Sequence, residues 1–319
     1  MNALLNVVPF FIAARVSIDS SWCCGPVYTF HVQVNSTELP EKDSYMSIRL
    51  NVASKLVCQP KEYHVFSCHF RDSKADSYAT DNLDPEVPAV PISQVSRQKA
   101  YEINQDQFEI KFNERGLDSL VVNENIQPRE LDMIRAIVEQ LNIGVLVNVY
   151  DHTYELVENF TQGECVTIFT VQRGTVAHPF HTNRGYVLET VFGLEEGLLV
   201  QIRKIRNLNM CTHKVPYLFG SSETMSHAND MVSTVISSES QIVITSNEFI
   251  SGTTNVITNV VMKKGSGEIM TTLYENISLR LESITPAVSE APEVKDPEPA
   301  SMFVGRWRMD SSMEDMLKI

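Results

Sequence analysis

Positive charge is scarce in this chain. Its 26 Lys and Arg face 40 Asp and Glu, a formal net charge of −14. Duplex nucleic acid demands a cationic footprint, so nucleic acid is excluded as the main partner. The same balance is wrong for adsorption to an anionic membrane surface. Beyond the apolar start of the chain, no run approaches the roughly 20 residues of a membrane-spanning helix, so membrane insertion is not expected. Cysteine is sparse too: six in 319 residues, too few for a disulfide-dominated scaffold, although an even number suits an oxidising compartment. The short motifs G-x-G-x-x-G, the P-loop, G-x-S-x-G and H-E-x-x-H are all missing. His178 and His181 lie three apart but lack a third ligand, and the same holds for His64 and His69 around Cys68. Ser222, Glu223 and His227 are adjacent in sequence only, whereas catalytic triads are spatial. No catalytic residue, cofactor or metal ligand is therefore assigned, and the chain does not read as an enzyme.

What is present is alternation. Tyr28, Phe30, Val32 and Val34 alternate with Thr29, His31 and Gln33, and Met46, Ile48, Leu50 and Val52 with Ser47, Arg49 and Asn51. Residues 108–112 and 165–171 repeat the pattern. The longest case sets Ile269, Thr271, Leu273, Ile277, Leu279 and Leu281 on one face, broken only by Glu275. Period two with one apolar face is the signature of half-buried antiparallel strands. One segment differs. In 127–144, Leu131, Ile134, Ile137, Val138 and Leu141 recur at helical spacing, with Arg129, Asp132, Arg135, Glu139 and Gln140 on the other side. Pro128 suits a first helical turn and Gly144 a left-handed stop. So many strands are expected to curl, and a large curled sheet has an interior too wide for its own side chains. The expected fold is mainly β: a large antiparallel barrel-like sheet wrapped around one central α-helix, which plugs it.

The ends of the chain break the pattern. Residues 1–14 are apolar and end in small side chains, as a secretory signal does, though without a basic leader; a first strand is the other reading. Residues 71–97 read as a long surface loop. From Thr285, four prolines and four acids in sixteen residues read as an acidic linker, followed by a tail too short to be a domain, so 285–319 are expected to be linker and truncated tail. Sequons occur at Asn35, Asn159 and Asn276, acceptors for N-glycans in a secreted chain. Cys58 and Cys68 flank a hairpin turn marked by Pro60. Cys165 and Cys211 flank strands, and a bridge between them would be worth roughly 4 kcal/mol. Cys23 and Cys24 are adjacent, and a vicinal bridge is strained; spacing leaves the pairing open. A local basic cluster, Arg203, Lys204 and Arg206, is either the polar face of a strand or a receptor-contact patch.

These segments together resemble the N-terminal module of vitellogenin, in the large lipid transfer protein family. The resemblance rests on "WCCGPVYTFHVQVNSTEL", "FEIKFNERGLDSLVV", "RELDMIRAIVEQLN", "ENFTQGECVTIF", "IRKIRNLNMCTHKVPYLFG" and "GSGEIMTTLYENISLRLES", in that order across about 20–284. It implies a sheet wrapped around a central helix and a Cys165–Cys211 bridge. It further implies a secreted role in lipid transport and yolk provisioning, with lipid and a lipoprotein receptor as partners. The family's main lipid cavity is built by later domains that this chain does not include. The module is then expected to act by protein and receptor binding, alongside the remaining domains if the chain is a fragment. The alternative is a self-contained carrier with an apolar ligand inside the barrel.

Overall fold

The computed structural model describes residues 13–16, 24–41, 47–62, 64–80, 90–91, 101, 103–113, 116–144, 152–161, 163–175, 186–189, 198–212, 217–220, 231–245, 248–263 and 267–303. The alternating segments are strands: β1 (Ala13–Val16), β2 (Pro26–Pro40), β3 (Ser47–Glu62), β4 (Val65–Thr80), β5 (Val90–Pro91), β6 (Phe108–Asn113) and β7 (Gly116–Asn123). One helix, α1 (Pro128–Val138), follows. After it come β8 (His152–Phe160), β9 (Gly163–Thr175), β10 (Tyr186–Glu189), β11 (Leu198–Thr212), β12 (Met231–Thr245), β13 (Phe249–Lys263), β14 (Gly267–Pro286) and β15 (Pro297–Ser301). β1 pairs with β10 in a separate ladder; the rest of the expected signal segment lies outside the described residues.

All other strands form one antiparallel sheet, in the order β15-β7-β6-β4-β3-β2-β14-β13-β12-β11-β9-β8, with β5 beside β4. Its inner face carries Phe30, Val32, Val34, Val52, Leu56, Phe70, Phe108, Ile110, Ile202 and Leu279, all buried. The helix lies against this face, and Leu131, Ile134, Ile137, Val138 and Leu141 join the same apolar cluster. Each such side chain contributes about 1.5–3 kcal/mol through burial. Gln127 and Glu130 form a capping box at the helix start, with Pro128 in the first turn. A 3₁₀ turn over Glu139–Leu141 ends it. Gly144 follows at φ +74°, where a Cβ would lie 3.0 Å from the Glu158 carboxylate, so both backbone and space require glycine.

Among the described residues, β8 and β15 do not pair with each other, so hydrogen bonds along the sheet do not close it. The helix region reaches the ends of both strands through single side chains. Arg135 Nε donates to the Ser301 carbonyl at the β15 end (2.8 Å). At the other end the Glu139 carboxylate accepts the Thr161 N–H (3.0 Å), just past β8. Two backbone groups, the Ser301 carbonyl and the Thr161 N–H, thus find partners on side chains of the helix and its closing turn.

Three sequence expectations need correction. Residues 71–80 are not loop: β4 continues to Thr80, paired with β3. Small polar side chains there obscure the alternation that the ladder imposes. Pro60 does not mark the turn, since β3 runs through it to Glu62, and His64, at φ 72°, sits between the strands. Residues 286–303 are not a linker. Ala287 and Val294 are buried, Pro297–Ser301 pair with β7, and Ala300 and Met302 enter the core. Proline is tolerated because β15 is an edge strand, where a missing N–H need not leave a gap in the ladder.

Candidate functional site

Beyond Arg129, which is partly exposed, the polar side of α1 and of the turn that ends it has no solvent to face. Asp132, Arg135, Glu139 and Gln140 are buried together with the apolar stripe. Burying a charge is costly unless it is paired, so each needs a partner. Arg135 Nη1 donates to Asp132 Oδ1 (2.5 Å) one turn away. Gln140 reaches the sheet, its Oε1 accepting from Thr253 Oγ1 (2.9 Å).

Glu139 belongs to a four-charge centre between the 3₁₀ turn, β8 and β11. Its Oε1 accepts from Arg206 Nη2 (2.9 Å). Arg206 Nη2 lies 3.6 Å from Glu158 Oε2, and Lys204 Nζ donates to Glu158 Oε1 and to the Asn142 carbonyl (2.7 Å). Two carboxylates thus meet two cations. Neutral groups add to the shell: Arg206 Nη1 donates to Ser240 Oγ (2.8 Å) and Ser238 Oγ (3.2 Å), while Arg206 Nε and Glu158 Oε2 make no hydrogen bond among the described residues. The single hydroxyl proton of Thr253 goes to Gln140, so Ser240 must donate to Thr253 (2.7 Å). Aromatic faces cover both cations, Phe169 at 5.3 Å from Lys204 and Phe160 at 4.6 Å from Arg206. Burial pushes the Lys204 ammonium below its usual pKa, against the attraction of Glu158.

A further buried carboxylate stands apart. Glu275, the residue that breaks the apolar face of β14, points inward at 1% exposure. Its Oε2 accepts the Phe219 N–H (2.8 Å) and its Oε1 accepts from Asn255 Nδ2 (3.3 Å). Burial pushes its pKa up to about 7; the two hydrogen bonds pull it down, and Glu139 adds a smaller upward push. Asn255 Oδ1 beside it has no partner.

The basic cluster therefore divides by strand parity. Lys204 and Arg206 point inward, at 2% and 4% exposure, and cannot form a contact patch. Only Arg203 reaches the surface, bound to Glu239 (2.7 Å) with both side chains largely solvated. Arg203→Ala is expected to shift stability by less than about 0.5 kcal/mol, as solvated pairs do, measured by urea denaturation.

The bridges Cys58–Cys68 and Cys165–Cys211 both join directly opposed residues of neighbouring strands. Asn35 and Asn276 face outward from β2 and β14, and Asn159 is exposed on β8. His178, His181, Ser222, Glu223, His227 and Cys23 lie outside the described residues. Sequence reading missed Glu158, Asn142 and the pairing of Glu139. The available signal was parity: Lys204, Arg206, Glu158 and Glu275 all occupy inward positions of alternating strands, with opposite signs.

The family model for the vitellogenin N-terminal domain matches residues 22–286. No curated protein sequence matches. A solved structure described as lipid–protein interactions in lipovitellin aligns with a TM-score of 0.59 at 14% identity, over 92% of this chain. At that identity the likeness is one of fold, and this chain spans 28% of the lipovitellin chain. Two structures from Pseudomonas aeruginosa, OccK11 (OpdR) and OpdQ, reach a TM-score of 0.18 at 8% and 9% identity. They cover 82% of this chain and 96% and 99% of their own, and carry no argument. A family match over 22–286, spanning the sheet from the threshold of β2 to the end of β14 with the helix inside, shows that this chain belongs to the vitellogenin N-terminal domain family.

Proposed function

We propose that this chain serves lipid transport and yolk provisioning as a secreted binding module, docking to a lipoprotein receptor and to other vitellogenin-type domains rather than carrying lipid itself. One observation supports the reading most strongly. The interior beside the helix, where an apolar ligand would have to sit, holds Glu139, Glu158, Lys204 and Arg206 in mutual contact. An alkyl chain placed there would strip those groups of partners without replacing a single hydrogen bond. Lipid bound by a lipovitellin-like assembly would then be held by later parts of it. Two structural disulfides fit passage through an oxidising compartment. Of the basic cluster, Arg203 is the member a receptor could meet.

Solvent extraction of the purified, folded chain, followed by mass spectrometry of the extract, tests this. Far less than one lipid per chain is expected. Roughly one apolar ligand per chain, retained through purification, would establish the rival reading of a self-contained carrier.

A further inference from the structure

We propose that Asn159 is an N-glycan attachment site and that its glycan guards the exposed edge of the sheet at β8. The inference rests on the secreted reading above. β8 is the last strand of the sheet, and among the described residues it pairs only with β9. Its register with β9 runs from His152 to Phe160 without a bulge. Among the described residues, one side of its backbone therefore presents an unpaired row of donors and acceptors, a template for another strand. Its side chains make that template sticky: Val157 is 62% exposed and Leu156 44%. On the outer face Val157 lies opposite Val166, and Glu155 opposite Ile168, both partly exposed, which extends the apolar strip onto β9. β8 carries no Pro, Lys or bulge, so its carboxylates Glu155 and Glu158 are the charges that blunt it.

Asn159 shares the outer face with Val157, two residues and about 7 Å along the strand. It is exposed, and its side-chain amide makes no hydrogen bond among the described residues, so the nitrogen that would carry sugar points free. A bulky, hydrophilic glycan rooted there would overhang Val157 and the open edge. The other sequons are placed differently. Asn35 and Asn276 are cross-strand partners, with Cβ atoms about 5 Å apart by the geometry of such pairs. Asn276 Nδ2 already donates to Thr254 Oγ1 (3.0 Å). Two glycans rooted so closely exclude each other, and neither lies near the edge.

The modification is a balanced transfer onto the extended nascent chain. The donor is an oligosaccharide on a lipid pyrophosphate. Asn159 Nδ2 forms a bond to C1 of the first sugar while the bond from C1 to the pyrophosphate oxygen breaks. One amide proton leaves, and the lipid pyrophosphate departs as the free acid. Thr161 completes the sequon at that stage; on folding its hydroxyl donates to Glu139.

The test is secretion of the full chain from cultured animal cells, site-by-site glycopeptide mass spectrometry, and alkylation to score the Cys165–Cys211 bridge. Asn159 is expected to be occupied, with at most one glycan on the Asn35/Asn276 pair. Enzymatic removal of glycan from the folded, secreted protein, and independently Asn159→Gln, should at least double the weight-average mass in light scattering. Adding Val157→Lys to Asn159→Gln should restore the mass of the glycosylated form. A secreted, bridged chain with Asn159 bare overturns this proposal alone. An intracellular chain with unbridged cysteines overturns it together with the secreted reading. Unchanged mass after deglycosylation overturns the guarding role.

Discussion

Replacing Arg206 by methionine is expected to lower the unfolding free energy by about 3–5 kcal/mol, the cost of breaking a buried pair from one side. Arg206 contacts both carboxylates of the centre and both serines of β12. Methionine fills much of the volume, so a cavity explains little of the loss. What remains is Glu139 and Glu158 buried with Lys204 as the sole cation among them, and two hydroxyls without a donor. Neutralising one carboxylate should recover part of the deficit. In a double-mutant cycle, Glu139→Gln with Arg206→Met is expected to cost clearly less than the sum of the single changes. Urea denaturation of the four proteins at pH 7 checks both statements. A loss for Arg206→Met below about 1 kcal/mol would mean that water reaches the centre and that the interior is not the dry, charge-filled plug described above.

The second large effect concerns pH. Glu275 has an ordinary pKa of 4.5 and is pushed to about 7 in the folded protein. The folded state therefore holds a proton that the unfolded state releases between those values. Stability must fall as pH climbs through that window and level off above about 7. At roughly 1.4 kcal/mol per pH unit the full penalty is on the order of 3 kcal/mol. Glu275→Gln removes the titration. Its amide can keep the hydrogen bond from Phe219 N and, with the Asn255 amide reversed, donate to the now unpartnered Asn255 Oδ1. The variant is expected to match the natural protein near pH 4.5 and to exceed it in stability by pH 8. Lys204, shifted down by burial, contributes with the opposite sign, but equally in both proteins, so it cancels from the difference. Parallel pH profiles for the two would show that Glu275 is solvated in the folded state.

Much of the architecture was legible before any coordinates. The alternation in β2, β3, β9 and β14 and the helical stripe from Leu131 to Leu141 are local periodicities, and each survives in the fold because one face of each element is buried. The polar side of the helix was visible as residues and misleading as a surface. Arg206 lies 67 residues from Glu139, and Lys204 lies 62 from Asn142; no local window contains both halves of such a pair. The segment after Thr285 misled for a different reason. Four prolines and four acids describe a linker by composition, yet Pro297 and Pro299 are acceptable where a strand has only one neighbour.

Sequence alone decided which residues alternate, where the helix starts, and which family the order of segments resembles, because these depend on steric preference and spacing within a few residues. The tertiary structure alone decided that β8 and β15 do not pair among the described residues, that the helix region reaches the ends of both, and that three of the charged residues on its far side are sealed inside. Those outcomes follow from which distant strands become neighbours, and a buried charge takes its meaning only from the partner the fold brings to it.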